Sequence, residues 1–307
     1  MTASSQGPQD PSVQILLVED NRSQAMMMER MLQEGGAEFE VVHVGTLGEA
    51  KEHLEASGVA CILLDLTLPD ADRLEGLTEI KNVAPSAPIV VVTADNDGGR
   101  GIKAVQSGAQ DYLIKGQMDS AQLCRSVRYA IERGRSEQQL AHRALHDVLT
   151  GLPNRLLFLD RLTYALAQNE RQDSFVGVFF LDLDGFKGVN DRLGHLAGDA
   201  LLRAMAGRLL AWVRPGDTVS RFGGDEFTVL VREVGGPEDA AEIAERLTEA
   251  VRTPVSLEGE EVSLTPSIGI ALGTSSQRAE ELIERADKAM YSAKRRSDTT
   301  YEITEGP

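Results

Sequence analysis

Arg221-Phe222-Gly223-Gly224-Asp225-Glu226-Phe227 sets two glycines and two acids between stretches that read as β-strand. Gly-Gly is a favoured pair for a two-residue hairpin turn, because both central positions take φ > 0 and the missing side chains let another group approach closely. Two carboxylates at such a turn suit a hard, oxygen-seeking cation. Taken alone, the motif is an ordinary surface hairpin with solvated acids. Its meaning depends on what the chain places nearby.

Upstream, Phe175 to Leu181 is a strong strand pattern that ends in Asp182-Leu183-Asp184-Gly185-Phe186-Lys187. If the strand continues that far, its period of two puts Asp182 and Asp184 on one face. From Asp147 onward, longer helices mix with hairpin-like strands, which predicts an α+β domain. With Asp182 and Asp225 on neighbouring strands, two metal ions and a triphosphate fit the pattern, since in-line phosphoryl transfer favours carboxylate-held metals. Asn190 and Asp199 suit a base edge: an amide accepts from or donates to a purine, and a carboxylate accepts from guanine's N–H groups. Composition alone does not choose guanine over adenine.

A chain of 307 residues favours two domains. With 42% hydrophobic and 26% charged residues it has the makings of ordinary globular cores. A formal charge of −17 argues against a nucleic-acid or anionic-membrane surface, both of which need concentrated Lys and Arg. Phosphate binding therefore calls for metal ions or local basic residues. Cys61 and Cys124 lack metal-ligand spacing and fit a reducing cytoplasm, and no apolar run approaches the ~20 residues of a membrane helix. Met1 to Ser12 has no basic n-region or apolar h-region and reads as a flexible tail.

Between Val13 and Lys115, short aliphatic runs alternate with amphipathic stretches, the pattern of βαβ units around a parallel sheet. Ile15 to Val18, Phe39 to Val44, Ala60 to Leu64, Ile89 to Val92 and Tyr112 to Ile114 read as its strands. Polar groups follow four of them: Glu19 and Asp20, Asp65, Thr93, and Lys115. Open α/β sheets bind ligands at the carboxyl ends of their strands, so these groups should converge. Three carboxylates in one place repel, and a divalent cation relieves that, with Thr93 and Lys115 left to hold an anion beside it.

This half resembles the receiver domain of two-component response regulators over about 120 residues. The resemblance rests on Leu17-Val18-Glu19-Asp20-Asn21, Leu64-Asp65-Leu66 with Leu68-Pro69-Asp70, Thr93-Ala94 and Asp111-Tyr112-Leu113-Ile114-Lys115. It implies a flavodoxin-like, doubly wound five-stranded sheet in which Asp65 accepts a phosphoryl group from a histidine kinase or phosphotransfer protein. Glu19 and Asp20, with Asp65, would hold one Mg²⁺, Thr93 and Tyr112 would act as the switch pair, and Lys115 would pair with the phosphoryl group. Gly116, where the family usually has proline, and Arg73, near a frequent glycine, depart from the pattern.

The second half is similar to the GGDEF family, the diguanylate cyclases, from Asp147 to about Tyr301. Beyond the hairpin, the likeness is carried by His146-Asp147-Val148-Leu149-Thr150-Gly151-Leu152-Pro153-Asn154-Arg155, Phe186-Lys187-Gly188-Val189-Asn190-Asp191, Ser267-Ile268-Gly269 and Ala286-Asp287-Lys288-Ala289-Met290-Tyr291-Ser292-Ala293-Lys294. It implies a nucleotide-cyclase-like fold around a mainly antiparallel sheet. It also implies condensation of two GTP into cyclic di-GMP with release of two pyrophosphates. Asp182, the carbonyl of Leu183 and Asp225 would hold two Mg²⁺, with Mn²⁺ as a substitute. Glu226 would be a further ligand or the base on the ribose 3′-hydroxyl. Asn190 and Asp199 would bind guanine, and Lys187 and Lys294 phosphates. Each domain brings one GTP, so catalysis requires an antiparallel homodimer. Arg214-Pro215-Gly216-Asp217 resembles the family's product-inhibition site, with Arg246 as its second arginine. Lys294 is followed by Arg295-Arg296 rather than glycine and then the usual phosphate-binding arginine, which leaves open which of the two, if either, contacts phosphate.

Ser120 to His146 contains one glycine and no proline and reads as one long helix. Leu123, Val127, Ala130, Gly134, Glu137, Ala141 and Ala144 follow alternating four and three spacing, a coiled-coil-like stripe weakened by Gly134 and Glu137. The helix reads either as the amphipathic last helix of the first domain with a polar extension or, as expected here, as a joint that also contributes to dimerisation. The expected organisation is thus a tail (1–12), a receiver (13–132), a helical linker (133–146) and a cyclase domain (147–307). The competing readings are a catalytically idle module that binds GTP or cyclic di-GMP, and a dimerising scaffold in which only the receiver matters.

Overall fold

The computed structural model describes residues 13–35, 39–94, 98–169, 174–257, 259–296 and 299–304; the expected tail lies outside them. The chain divides into two compact units between Leu140 and Ala141. The first alternates strand and helix: β1 (Val13–Val18), α1 (Arg22–Glu34), β2 (Phe39–Val44), α2 (Leu47–Ala56), β3 (Cys61–Asp65), α3 (Arg73–Val83), β4 (Ile89–Thr93), α4 (Gly98–Gln106), β5 (Asp111–Ile114) and α5 (Ser120–Leu145). Its strands pair in parallel in the order β2-β1-β3-β4-β5. β3 and β4 are buried on both faces, which is why they read as unbroken aliphatic runs. The two-residue period sorts their side chains: Ile15, Leu17, Leu63 and Val90 pack with α1 and α5, whereas Leu16, Val18, Leu64 and Val91 pack with α2, α3 and α4. Asn21 and Thr46 end the preceding loops by accepting from the first free N–H groups of α1 and α2.

Helix α5 explains the four-and-three stripe differently from a coiled coil. Leu123, Val127, Ala130 and Gly134 are buried, and the first three belong to the core of the first unit. Gly134 passes the ring of Pro88 so closely that an added Cβ would sit 3.3 Å from Pro88 Cγ. The stripe is therefore consumed by packing as far as Gly134, and only Glu137, Ala141 and Ala144 remain exposed. Spacing of this kind fits any apolar partner, here the sheet and α1 of its own unit rather than a second copy of α5.

The second unit contains α6 (Arg155–Gln168), β6 (Phe175–Asp184), α7 (Phe186–Leu193), α8 (His195–Trp212), β7 (Thr218–Gly223), β8 (Glu226–Val234), α9 (Pro237–Arg252), β9 (Val255–Leu257), β10 (Glu260–Val262), β11 (Thr265–Gly273), α10 (Ala279–Arg295) and β12 (Tyr301–Thr304). Its main sheet runs β12-β11-β6-β8-β7, antiparallel except where β12 joins β11. β6 is the central strand and continues to Asp184. Its alternate residues Phe179, Leu181 and Leu183 pack with α8 and α9, and Val176, Val178 and Phe180 with α6 and α10. β9 and β10 form a separate small ribbon.

Helix α10 crosses β11 at Gly269, where an added Cβ would lie 1.9 Å from the carbonyl oxygen of Ala286 and 2.1 Å from the Met290 nitrogen. Both obstacles are backbone, so neither rotates away. Gly269→Ala is expected to lift α10 from the sheet and cost about 3 kcal/mol, the upper end of ordinary overpacking. Urea unfolding of the full chain measures it, and a loss below about 1 kcal/mol would show that the helix slides without penalty.

Candidate functional site

In the first unit, the parallel order places the carboxyl ends of β1, β3, β4 and β5 side by side. Glu19, Asp65 and Thr93 are buried there, while Asp20 is exposed at the rim. Oxygens of Glu19, Asp20 and Asp65 all lie within 4.8 Å of one another. Lys115 Nζ bridges the two buried acids, 2.6 Å from Glu19 Oε2 and 2.8 Å from Asp65 Oδ2. Thr67 donates to Asp65 through its backbone N–H (3.2 Å) and its hydroxyl (2.7 Å). Burial pushes Glu19's carboxyl above its usual range, and the charge of Asp65 adds to this against the pull of Lys115. Such a donor set fits a divalent cation, with the lysine supplying the positive charge that the cluster demands. Tyr112 on β5 lays its ring over Gly101 of α4, where an added Cβ would be 2.2 Å from Tyr112 Cδ2.

In the second unit, the antiparallel register sets Asp182 opposite Glu226 on one side and Ser267 on the other. The hairpin turn differs from the expected Gly-Gly pair. Gly223 is the last residue of β7 and pairs with Glu226, so the turn residues are Gly224, at φ +52°, and Asp225. The cause is an irregularity between Arg221 and Gly223 that shifts the register by one residue. Leu183 donates its N–H to the carbonyl of Asp225 (3.3 Å), which ties the turn to β6.

Asp182 is buried, and Lys294 from the last turn of α10 reaches it, with Nζ 2.6 Å from Oδ1. Asp184 accepts from the Ser267 hydroxyl at 3.0 and 3.1 Å. Burial pushes the Glu226 carboxyl up, and the charges of Asp182, Asp287 and Asp225 push the same way. Burial also raises Asp184, with Asp182 adding to the effect. Among the described residues, only the receiver trio brings three carboxylates within 4.8 Å of one another. Asp182, Asp225 and Glu226 occupy the same end of the sheet without that convergence.

Gly185 (φ +84°) begins α7, and Gly194 (φ +82°) turns the chain between α7 and α8. Lys187 is exposed on the first turn of α7, and Asn190 and Asp199 are half-buried. The carboxamide of Asn190 lies over Gly198, where an added Cβ would sit 1.9 Å from Oδ1. Gly198→Ala is expected to displace that carboxamide and raise KM for a guanine nucleotide about tenfold, the scale of one lost polar contact. Steady-state kinetics checks it; an unchanged KM would mean that Asn190 does not read the base.

The expected product-inhibition residues also come together. Arg214, Asp217 and Arg246 line one cavity of about 560 Å³. The Arg246 guanidinium stands 5.8 Å over the Trp212 ring. Asp217 accepts from the backbone N–H of Arg214 (3.1 Å) and of Arg232 (3.2 Å), so its carboxylate shapes the loop as well as facing the cavity. Of the two arginines after Lys294, Arg296 is paired with Glu302 at 3.3 Å.

One feature goes beyond the sequence reading. Arg221 donates to the carbonyl of Gly224 through Nε (3.1 Å) and Nη2 (2.7 Å). The same guanidinium holds both oxygens of Asp147 at 2.9 and 3.1 Å. Asn154 fastens the other end of this loop, donating its backbone N–H to the Leu145 carbonyl (2.8 Å) and its side-chain amide to the Ala144 carbonyl (2.7 Å). Arg221 and Asp147 are thus positioning residues for the turn that carries Asp225.

An acid-and-lysine pocket on a five-stranded parallel sheet, followed by an acidic hairpin on a mainly antiparallel one, defines a receiver-type α/β domain joined to a nucleotide-cyclase-like domain. The chain belongs to the GGDEF family: residues 144–300, just over half of it, match the model described as diguanylate cyclase, GGDEF domain, and residues 15–128 match the response regulator receiver domain. It is 46% identical over 183 residues to the bifunctional diguanylate cyclase/cyclic di-GMP phosphodiesterase MucR of Pseudomonas aeruginosa, covering 59% of this chain and 27% of that protein. Diguanylate cyclase TpbB of the same species is 42% identical over 168 residues, covering 54% of this chain and 39% of that one. The chain thus spans well under half the length of these relatives. A solved coiled coil and GGDEF domain of DgcB from Caulobacter crescentus, in complex with c-di-GMP, superposes with a TM-score of 0.53 at 27% identity, covering 60% of this chain and 98% of that one.

Proposed function

We propose that the chain is a diguanylate cyclase controlled by phosphorylation of Asp65. The observation that carries this reading is that Asp182, Leu183, Asp225 and Glu226 share one end of the GGDEF sheet, with Asp182 registered opposite Glu226 and the Leu183 N–H on the Asp225 carbonyl, while the carboxamide of Asn190 on α7 lies over Gly198, next to Asp199 in the chain, on α8. Asn190 and Asp199 grip guanine, and Lys187 and Lys294 face the phosphates. Asp182, the Leu183 carbonyl, Asp225 and Glu226 would hold Mg²⁺, which when bound screens the triphosphate and polarises its phosphorus. The ribose 3′-oxygen of one GTP forms a bond to the α-phosphorus of the other and the bond to pyrophosphate breaks; Glu226, where it is not a metal ligand, takes the hydroxyl proton as the base. Repeating the step closes the ring. Two such domains must face each other, so the working form is a homodimer, and Arg214, Asp217 and Arg246 return product as a restraint.

In the receiver, Asp65 takes the phosphoryl group from a histidine kinase or phosphotransfer protein, and Glu19, Asp20 and Asp65 would hold one Mg²⁺. Thr93 and Tyr112 carry the change, and α5 passes it onward; its exposed end offers Ala141 and Ala144 for pairing. In this reading residues 13–132 form the receiver, 133–146 the linker and 147–307 the cyclase. No helix among the described residues is long and apolar enough to cross a membrane.

The test is purified protein with GTP and Mg²⁺, with and without beryllofluoride on Asp65, alongside Asp65→Asn. Product that rises with the mimic in the parent and not in the variant is expected. No cyclic di-GMP in either state overturns the enzyme and favours the binding module; equal product in both overturns the control.

A further inference from the structure

Asp182, Asp225 and Asp287 lie close enough for their charges to act on Glu226, Asp182 acts likewise on Asp184, and Lys294 pairs into this acidic group. Lys294 Nζ is 2.6 Å from Asp182 Oδ1. The two partners differ in freedom. Asp182's side chain is 11% exposed and its backbone is locked between β8 and β11, whereas Lys294's side chain is 44% exposed. The base of Lys294 is fixed too, because α10 is pressed onto β11 at Gly269. What remains free is the four-carbon stem of the lysine, which carries a point charge that can find a new partner by side-chain rotation alone.

We propose that Lys294 is the resident counter-ion of the cyclase site and exchanges Asp182 for a substrate phosphate as the metal arrives. The inference rests on the cyclase reading above and adds to it an order of events. While Lys294 holds Asp182, an incoming divalent cation meets a ligand that is already paired and a positive charge beside it. The carboxylates are also unconverged in this arrangement. A triphosphate gives the ammonium another anion and frees Asp182. Metal and nucleotide then help each other to bind, and by linkage the help is equal in both directions. The metal accordingly enters with the nucleotide rather than before it.

The test is Mn²⁺ binding to the full chain without nucleotide, followed by electron paramagnetic resonance, in the parent, Lys294→Met and Asp182→Asn/Lys294→Met. The receiver trio contributes equally to all three, so differences report on the cyclase site. Lys294→Met is expected to bind Mn²⁺ about tenfold more tightly than the parent, as removal of one adjacent like charge allows, and the gain should vanish when Asp182 is also replaced. With Mn²⁺ present, the same variant should bind a non-hydrolysable GTP analogue more weakly. Unchanged or weaker Mn²⁺ affinity in Lys294→Met overturns the proposal, as does a gain that survives loss of Asp182. If Lys294→Met does not keep the parent's circular dichroism, Lys294→Gln takes its place under the same criteria. These outcomes are independent of turnover: a parent that binds the analogue but makes no cyclic di-GMP defeats the cyclase reading alone.

Discussion

Asp225→Asn is expected to lower cyclic di-GMP formation about a thousandfold while leaving the protein as stable as the parent or slightly more so, since loss of one preorganised electrostatic group costs up to about that scale. The two halves of the expectation have separate causes. The turn is held through the backbone, by the Leu183 N–H on the Asp225 carbonyl and by Arg221 on the Gly224 carbonyl, so an asparagine of the same shape keeps its place. The charge is what changes. Glu226 is pushed up by burial and by the acids around it, Asp225 among them, so removing one acid relieves repulsion rather than breaking a bond. Product chromatography and a thermal melt check both halves together. Retention of a tenth of the activity would remove Asp225 from the chemistry, and a large fall in melting temperature would make it a structural residue instead.

The receiver could be read almost completely from its sequence because a parallel sheet leaves few choices. Strands covered on both faces must be aliphatic throughout, so Glu19, Asp65, Thr93 and Lys115 stand out where the runs stop, and topology brings those stops together. The GGDEF unit was legible where neighbours in sequence are neighbours in space: Asp182 with Asp184, and Arg214 with Asp217. Three features were not. The stripe on α5 has the same spacing whether it faces its own unit or a second copy of the helix, and only the packing of Leu123, Val127 and Ala130 against the sheet and α1 decides between them. The turn shifted by one residue because an irregularity after Arg221 leaves no mark in residue type. Arg221 and Asp147, 74 positions apart, and Lys294 and Asp182, 112 apart, are pairings of common charges whose partners emerge only when the strands are placed.

Arg221→Ala should reduce kcat about a hundredfold with little change in KM for GTP, because a misplacement near 1 Å costs that much when reacting groups must align. The side-chain hydrogen bonds of Arg221 go to Gly224 and Asp147 and not to the proposed base-binding residues Asn190 and Asp199, so nucleotide affinity is expected to hold while the carbonyl of Gly224 loses both its donors. The substitution also takes from Asp147, whose side chain is only 23% exposed, its cationic partner and leaves it only the N–H and hydroxyl of Thr150. A buried acid deprived of its partner destabilises by several kcal/mol, and partial solvent access here reduces the expected loss to about 2 kcal/mol. Burial pushes the Asp147 carboxyl up, but hydrogen bonds from Thr150 and Arg221 outweigh it and hold the group below its usual range. The stabilisation is therefore full at neutral pH and is lost only as pH falls through that lowered value, so the parent and variant melts should converge in acid. Arg221→Lys should rescue little, since a point charge cannot serve the Gly224 carbonyl and both Asp147 oxygens at once. In a double-mutant cycle, Asp147→Ala combined with Arg221→Ala should cost far less than the sum of the two. Additive losses, or a variant whose KM rises while kcat holds, would show that the guanidinium serves the nucleotide rather than the turn.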